Sequence, residues 1–171
     1  MKMNAAIGTL LMALVFGPCP ARASVDINYH GTLVADACQL STNSAEQVVT
    51  FPDIAVSAFK RHPRTAPKKF VLTLLECDLT AGNLVNVTFN GPESREQPGT
   101  FAMTQGNSKG VSIAIESENG EAVKPSVAMR PVTLMQGSNE LRFRAYIQGK
   151  DYTAIKEGAF SSSVNFVLEY E

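Results

Sequence analysis

Val164-Asn165-Phe166-Val167-Leu168-Glu169-Tyr170-Glu171 closes the sequence. Val164, Phe166, Leu168 and Tyr170 fall at every second position, the period-two signature of a β-strand with one buried face. A strand this apolar at a chain end is an aggregation hazard unless it is central in a sheet or covered. Residues 24–34 pose the same problem near the other end. There Val25, Ile27, Tyr29 and Leu33 share one face, and Asp26, Asn28, His30 and Thr32 share the other. Gly31 interrupts the apolar row with no side chain, which in a strand marks close backbone approach or a shallow place in a receiving surface. Terminal segments are usually mobile and polar unless something fixes them. From alternation alone, one reading is that both segments pair inside a complete sandwich; the other is that they find partners elsewhere.

The sequence between them reads as further short strands separated by turn residues. Residues 47–51 form a short candidate, and Phe70, Leu72 and Leu74 alternate just before Cys77. Residues 84–89 end at Asn90-Gly91-Pro92, and Val111, Ile113 and Ile115 end at Asn119-Gly120. Leu141, Phe143, Ala145 and Ile147 form a sixth strand. No stretch carries a sustained helical period; residues 53–59 allow one turn at most. Short strands with turn signals between them predict an all-β sandwich. Two segments read as surface loops. Residues 60–69 hold Lys60, Arg61, Arg64, Lys68 and Lys69 with two prolines, and residues 91–110 are polar and glycine-rich.

Composition bounds the function. The 171 residues are 44% hydrophobic and 18% charged, with formal charge −1, enough for one cored domain. Nothing resembles the basic excess of a nucleic-acid binder. Residues 1–23 combine Lys2, an apolar run of about a dozen residues and Ala21-Arg22-Ala23, the pattern of a secretory signal cleaved before Ser24. That run is shorter than the roughly 20 residues needed to span a bilayer, so no membrane insertion is expected. Cys19 follows Pro18 and precedes the better cleavage site, which argues against a lipid-modified cysteine. The exported chain keeps Cys38 and Cys77, and an even count in an oxidising compartment reads as one disulfide. Closing a loop of about 39 residues would stabilise by roughly 4 kcal/mol on the chain-entropy account. A reactive thiol or metal ligand would be the alternative, but no Cys-x-x-Cys or nearby histidine supports it.

No catalytic constellation assembles. His30 and His62 lack companion motifs, and the sequence holds no Gly-x-Ser-x-Gly, His-Glu-x-x-His or phosphate-binding loop. Glu116 and Glu118 read as a solvated pair. Asn86-Val87-Thr88 matches a glycosylation acceptor but lies within a strand. No enzyme activity, cofactor or metal is expected.

Taken in order, these residues resemble the pilin subunits of chaperone–usher fimbriae, particularly type 1-like minor or adaptor subunits. The resemblance covers the exported chain. It rests on the alternating arm ending in Gly31-Thr32-Leu33-Val34, on Cys38 soon after, and on Cys77 following Phe70-Val71-Leu72-Thr73-Leu74. Gly110-Val111-Ser112-Ile113 and Leu141-Arg142-Phe143-Arg144-Ala145-Tyr146 follow, then Gly158 and the closing Phe166-Val167-Leu168-Glu169-Tyr170 with its penultimate tyrosine. Each piece alone is weak, and the ordered combination is specific.

The resemblance implies an incomplete immunoglobulin-like sandwich over residues 37–171 that lacks its last strand and receives a donor strand from a partner. Residues 24–36 would be the donor extension, inserting Val25, Ile27, Tyr29 and Leu33, with Gly31 between. Gly158, Val164, Phe166, Leu168 and Tyr170 would belong to the groove and to the strand held by the chaperone. Its implied partners are a periplasmic chaperone, an outer-membrane usher and neighbouring subunits, leading from the periplasm to a cell-surface fimbria involved in adhesion. The length leaves no room for a tip lectin domain. The C-terminal likeness points to an adaptor; the alternatives are a major rod subunit and an exported module that binds a host ligand directly.

Overall fold

The computed structural model of the chain describes residues 36–171. The signal segment 1–23 and the strand expected over residues 24–34 lie outside them. Strands β1 (Gln39–Leu40), β2 (Lys68–Cys77), β3 (Leu84–Asn90), β4 (Gln105–Gly106) and β5 (Ser112–Ser117) come first. β6 (Ala122–Val123), β7 (Val132–Thr133), β8 (Gly137–Gln148), β9 (Phe160–Ser161) and β10 (Asn165–Tyr170) follow. Among the described residues, helical structure is confined to one turn at Thr42–Ala45 and three 3-10 turns, at Val56–Lys60, Leu79–Ala81 and Tyr152–Ala154.

β8 is the spine. Asn139, Leu141, Phe143, Ala145 and Ile147 point into the core at alternate positions. Its register pairs Lys68↔Ala145 through Leu74↔Asn139 on β2, and Ile113↔Ile147 on β5. The larger sheet runs β1-β2-β8-β5-β6, and the second runs β10-β3-β7. Both contribute to one core, in which Phe143 stacks on Phe70 at 5.3 Å and meets the Phe89 ring edge-on at 5.0 Å. Such aromatic pairs add about 0.5–1.5 kcal/mol beyond their buried area. Asn139 is buried without loss, because its amide accepts from the Met135 N–H and donates to the Met135 carbonyl. The Cys38–Cys77 disulfide ties the start of the domain to the end of β2.

Two sequence expectations change. Residues 91–110 are not simply a surface loop: Phe101 is fully buried, and Ser94, Gln97 and Thr100 are buried beside it. The Phe101 and Ile113 backbones exchange hydrogen bonds of 2.8 and 2.9 Å, so this polar stretch closes the outer edge of β5. A lone phenylalanine among polar residues carries no periodic signal. Residues 47–51 are extended but join no ladder; the contact that holds them to β2 is the Gln47 side-chain amide donating to the Val71 carbonyl at 2.6 Å.

Phe101→Ala is predicted to lower the unfolding free energy by about 3–5 kcal/mol. Gln105→Ala, exposed in the same stretch, should change it by less than about 0.5 kcal/mol. Urea unfolding of both variants checks the difference.

Candidate functional site

Among the described residues, β10 hydrogen-bonds along one side only. It pairs with β3 from Asn165↔Asn90 to Tyr170↔Val85, and no described strand lies on its other side. Leu84 and Glu171 exchange N–H···O bonds of 3.1 and 3.0 Å, which makes them a hydrogen-bonded pair. In an antiparallel ladder such pairs alternate with pairs whose backbone groups face away. The N–H and C=O groups of Phe166, Leu168 and Tyr170 therefore point out of the free edge.

The side chains show the same incompleteness. On β3, Val85, Val87 and Phe89 are at most 3% exposed. On β10, Val164, Phe166, Leu168 and Tyr170 face the same core but are only partly buried. The uncovered surface is a groove. Val164, Phe166 and Ser162 form one wall, and Gln47, Val49 and Phe51 form the other. Phe70, Leu72, Phe89, Ile113, Ile115 and Ala145 floor it, around a cavity of about 190 Å³. An apolar cavity of about 150 Å³ already holds a benzene ring, so this one has room for a large apolar side chain. It continues past residues 46–54 towards Gly158 and Ala159. A Cβ at Gly158 would lie 2.8 Å from the Ser108 backbone nitrogen, and φ is +155°, so a side chain there is strained.

The groove-strand residues expected from the sequence thus fall along one edge, with Gly158 towards one end and Tyr170 near the other. The donor residues Val25, Ile27, Tyr29, Gly31 and Leu33 lie outside the described residues. Sequence reading missed Val49, Phe51 and Ile113 as groove lining. The signal available was the short alternation over residues 47–51, whose strand character lacks a neighbour. Val48, between two lining positions, is 93% exposed. Cys38 and Cys77 are both buried in the core against which Tyr170 packs.

The titratable groups once weighed for catalysis are occupied elsewhere. Glu116 pairs with Arg64, and Glu118 lies 3.8 Å from Arg142, which also binds Glu140 at 2.8 Å. Burial pushes the Tyr170 phenol above its ordinary range, and the negative charge of Asp36 adds to the shift.

These features define a β-sandwich short of one edge strand, with an apolar groove where that strand belongs. The sequence model of the family described as "Fimbrial protein" matches residues 27–171, and the chain belongs to that family. It is 31% identical to the Fimbria A protein of Serratia marcescens, over 100% of both chains. It is 28% identical to the "Major fimbrial subunit" of Proteus mirabilis, over 95% of this chain and 96% of that one. Among solved structures it is similar to the P pilus rod subunit PapA, with TM-score 0.69 and 26% identity over 80% of this chain and 100% of that one. The fold is the immunoglobulin-like sandwich of pilins lacking one strand, and the chain is a structural fimbrial subunit rather than an enzyme. Among the described residues no helix is long and apolar enough to cross a membrane.

Tyr170 should ionise at higher pH than a free tyrosine, whose value is 10.0. Because folding favours the neutral phenol, this contribution to stability is full below the ordinary value and is lost as pH rises through the higher folded one. Asp36→Asn should return the midpoint only part of the way, since burial is the larger cause. Tyrosine-resolved NMR titration checks both statements.

Proposed function

We propose that this chain polymerises by donor-strand exchange: the free edge of β10 receives an extended segment from a neighbouring subunit, and residues 24–36 serve as the segment it donates in turn. The single observation that carries the reading is the one-sided hydrogen bonding of β10 over a groove of half-buried apolar side chains. An incoming strand would satisfy Phe166, Leu168 and Tyr170 on one side and could pair with residues 47–51 on the other. Val25, Ile27, Tyr29 and Leu33 would enter at alternate positions, with Gly31 where the receiving surface is shallow. Each inserted side chain contributes about 1.5–3 kcal/mol before entropy losses. Four of them reach the order of a domain's whole net stability, about 5–15 kcal/mol. Assembly and folding are then coupled.

An exposed edge of this kind is an aggregation hazard during export, which is the role for a periplasmic chaperone that lends a strand until an outer-membrane usher exchanges it. Disulfide formation between Cys38 and Cys77 fits passage through an oxidising periplasm to a surface fimbria. Within that fibre we assign the chain a rod role. The resemblance of its C-terminal strand suggested an adaptor, but the named relatives include a major subunit, and PapA is a rod subunit. A rod subunit accepts its own arm.

The test is thermal unfolding of the chain lacking residues 24–36, with and without a peptide of those residues. The melting temperature should rise sharply with the peptide, and Phe166→Asp should abolish the rise. A high melting point indifferent to the peptide would favour a self-complete module that binds a host ligand directly. Released from its chaperone, the full chain should form long self-polymers on gel filtration; an adaptor would not.

A further inference from the structure

The two ends of the sandwich carry opposite charge. At the disulfide end, residues 36–41, 74–86, 134–140 and 169–171 meet. The Asp78 N–H donates to the Ala37 carbonyl, Cys38 bonds Cys77, and Glu171 lies against Gly82. These segments contain no lysine or arginine, yet Asp36, Glu76, Asp78, Glu169 and Glu171 are all exposed there. At the opposite end, residues 56–64, 107–112 and 148–156 meet. Pro63 accepts from Gly149, Lys109 and Lys156 exchange backbone hydrogen bonds, and Lys60 lies over the Tyr152 ring. Exposed Lys60, Arg61, Lys109, Lys150 and Lys156 crowd this end, and none of them makes an ion pair among the described residues. The acids at this end are fewer: Glu96, Asp151 and Glu157, of which Asp151 is engaged by Thr153.

The Lys109–Lys156 pairing is a second observation. Like charges directly opposite on paired backbone are destabilising, so a pair of lysines there is costly unless something anionic faces it. Glu157 follows Lys156 and Glu96 shares a cleft with Lys150, but neither carboxylate forms an ion pair with these lysines among the described residues. The two ends are separated by the length of β8, about 40 Å at roughly 3.4 Å per residue. That is several times the Debye length of about 8–10 Å in physiological salt, so the ends do not neutralise each other within one copy.

We propose that the basic end is the docking surface for the acidic disulfide end of a second copy of this chain. The proposal rests on the donor-strand reading and deepens it. Asp36, the first described residue, lies at the acidic end, so an arm ahead of it in sequence is joined to the domain there. Since β10 runs towards that same end, an arm lying parallel to β10 would bring two acidic ends together. An arm lying antiparallel delivers the acidic end of its own subunit onto the basic end of the receiver. Charge thereby fixes the direction of insertion, steers the encounter and discriminates against copies presented the wrong way round.

Polymer growth of the full exported chain, followed by light scattering, tests this. Growth should slow as salt rises from about 0.01 M to about 1 M, where the Debye length falls from about 30 Å to about 3 Å. Lys150→Glu with Lys156→Glu, or Glu76→Lys with Asp78→Lys, should each slow growth at low salt about tenfold or more. All four changes in one chain leave both ends close to neutral and should slow growth as much as either pair. Capture of a labelled peptide of residues 24–36 should be unchanged throughout. Intact capture with salt-independent growth, or pair variants that grow as fast as the unaltered chain at low salt, overturns the end-to-end contact alone. Absence of capture by the unaltered chain overturns strand insertion and the contact together.

Discussion

Among the described residues β10 hydrogen-bonds on one side only, and the rest of the structure follows from that constraint. Phe166, Leu168 and Tyr170 present unpaired N–H and C=O groups to the free edge, and their side chains sit over a core that β3 buries fully and β10 does not. Leaving buried polar groups unmade costs about 1–3 kcal/mol each. An edge left in water instead invites pairing with any available strand. Such an edge is stable over time only if a particular strand covers it, which is why the fold and the proposed assembly are one problem.

Other features organise themselves around that edge. The disulfide pins the start of the described domain to the end of β2, and Asp36 lies near enough to Tyr170 for its charge to act on the phenol. Residues 46–54 lie along the far wall of the groove as extended backbone without a ladder partner. The spine formed by β2, β8 and β5 is complete and apolar within, and supplies a rigid floor. Rigidity there and openness at β10 divide the molecule into a scaffold and a receiving edge.

Much of this was legible in sequence. The alternations at Phe70–Leu74, Leu84–Phe89, Leu141–Ile147 and Val164–Tyr170 each became a strand, because period-two burial depends on local order. The cysteine pair was readable from count and export signal. What failed to show was everything decided by a distant neighbour. Phe101 gains its burial from Ile113, and residues 47–51 alternate as a strand yet find no partner in the described domain. Arg64 looked like one cation in a solvated loop, but it packs over Tyr146 and pairs with Glu116 across the sheet. The charge division between the two ends is likewise invisible along the chain, since it is assembled from four separate segments at one end and three at the other.

Amide hydrogen exchange along β10, in the chain lacking residues 24–36, addresses the central claim most directly. The account predicts alternation: slow exchange at Val167, Glu169 and Glu171, whose N–H groups face β3, and fast exchange at Phe166, Leu168 and Tyr170. A peptide of residues 24–36 should then protect all six. Protection at Phe166, Leu168 and Tyr170 with no strand added would mean that the edge is already closed, and would contradict the account.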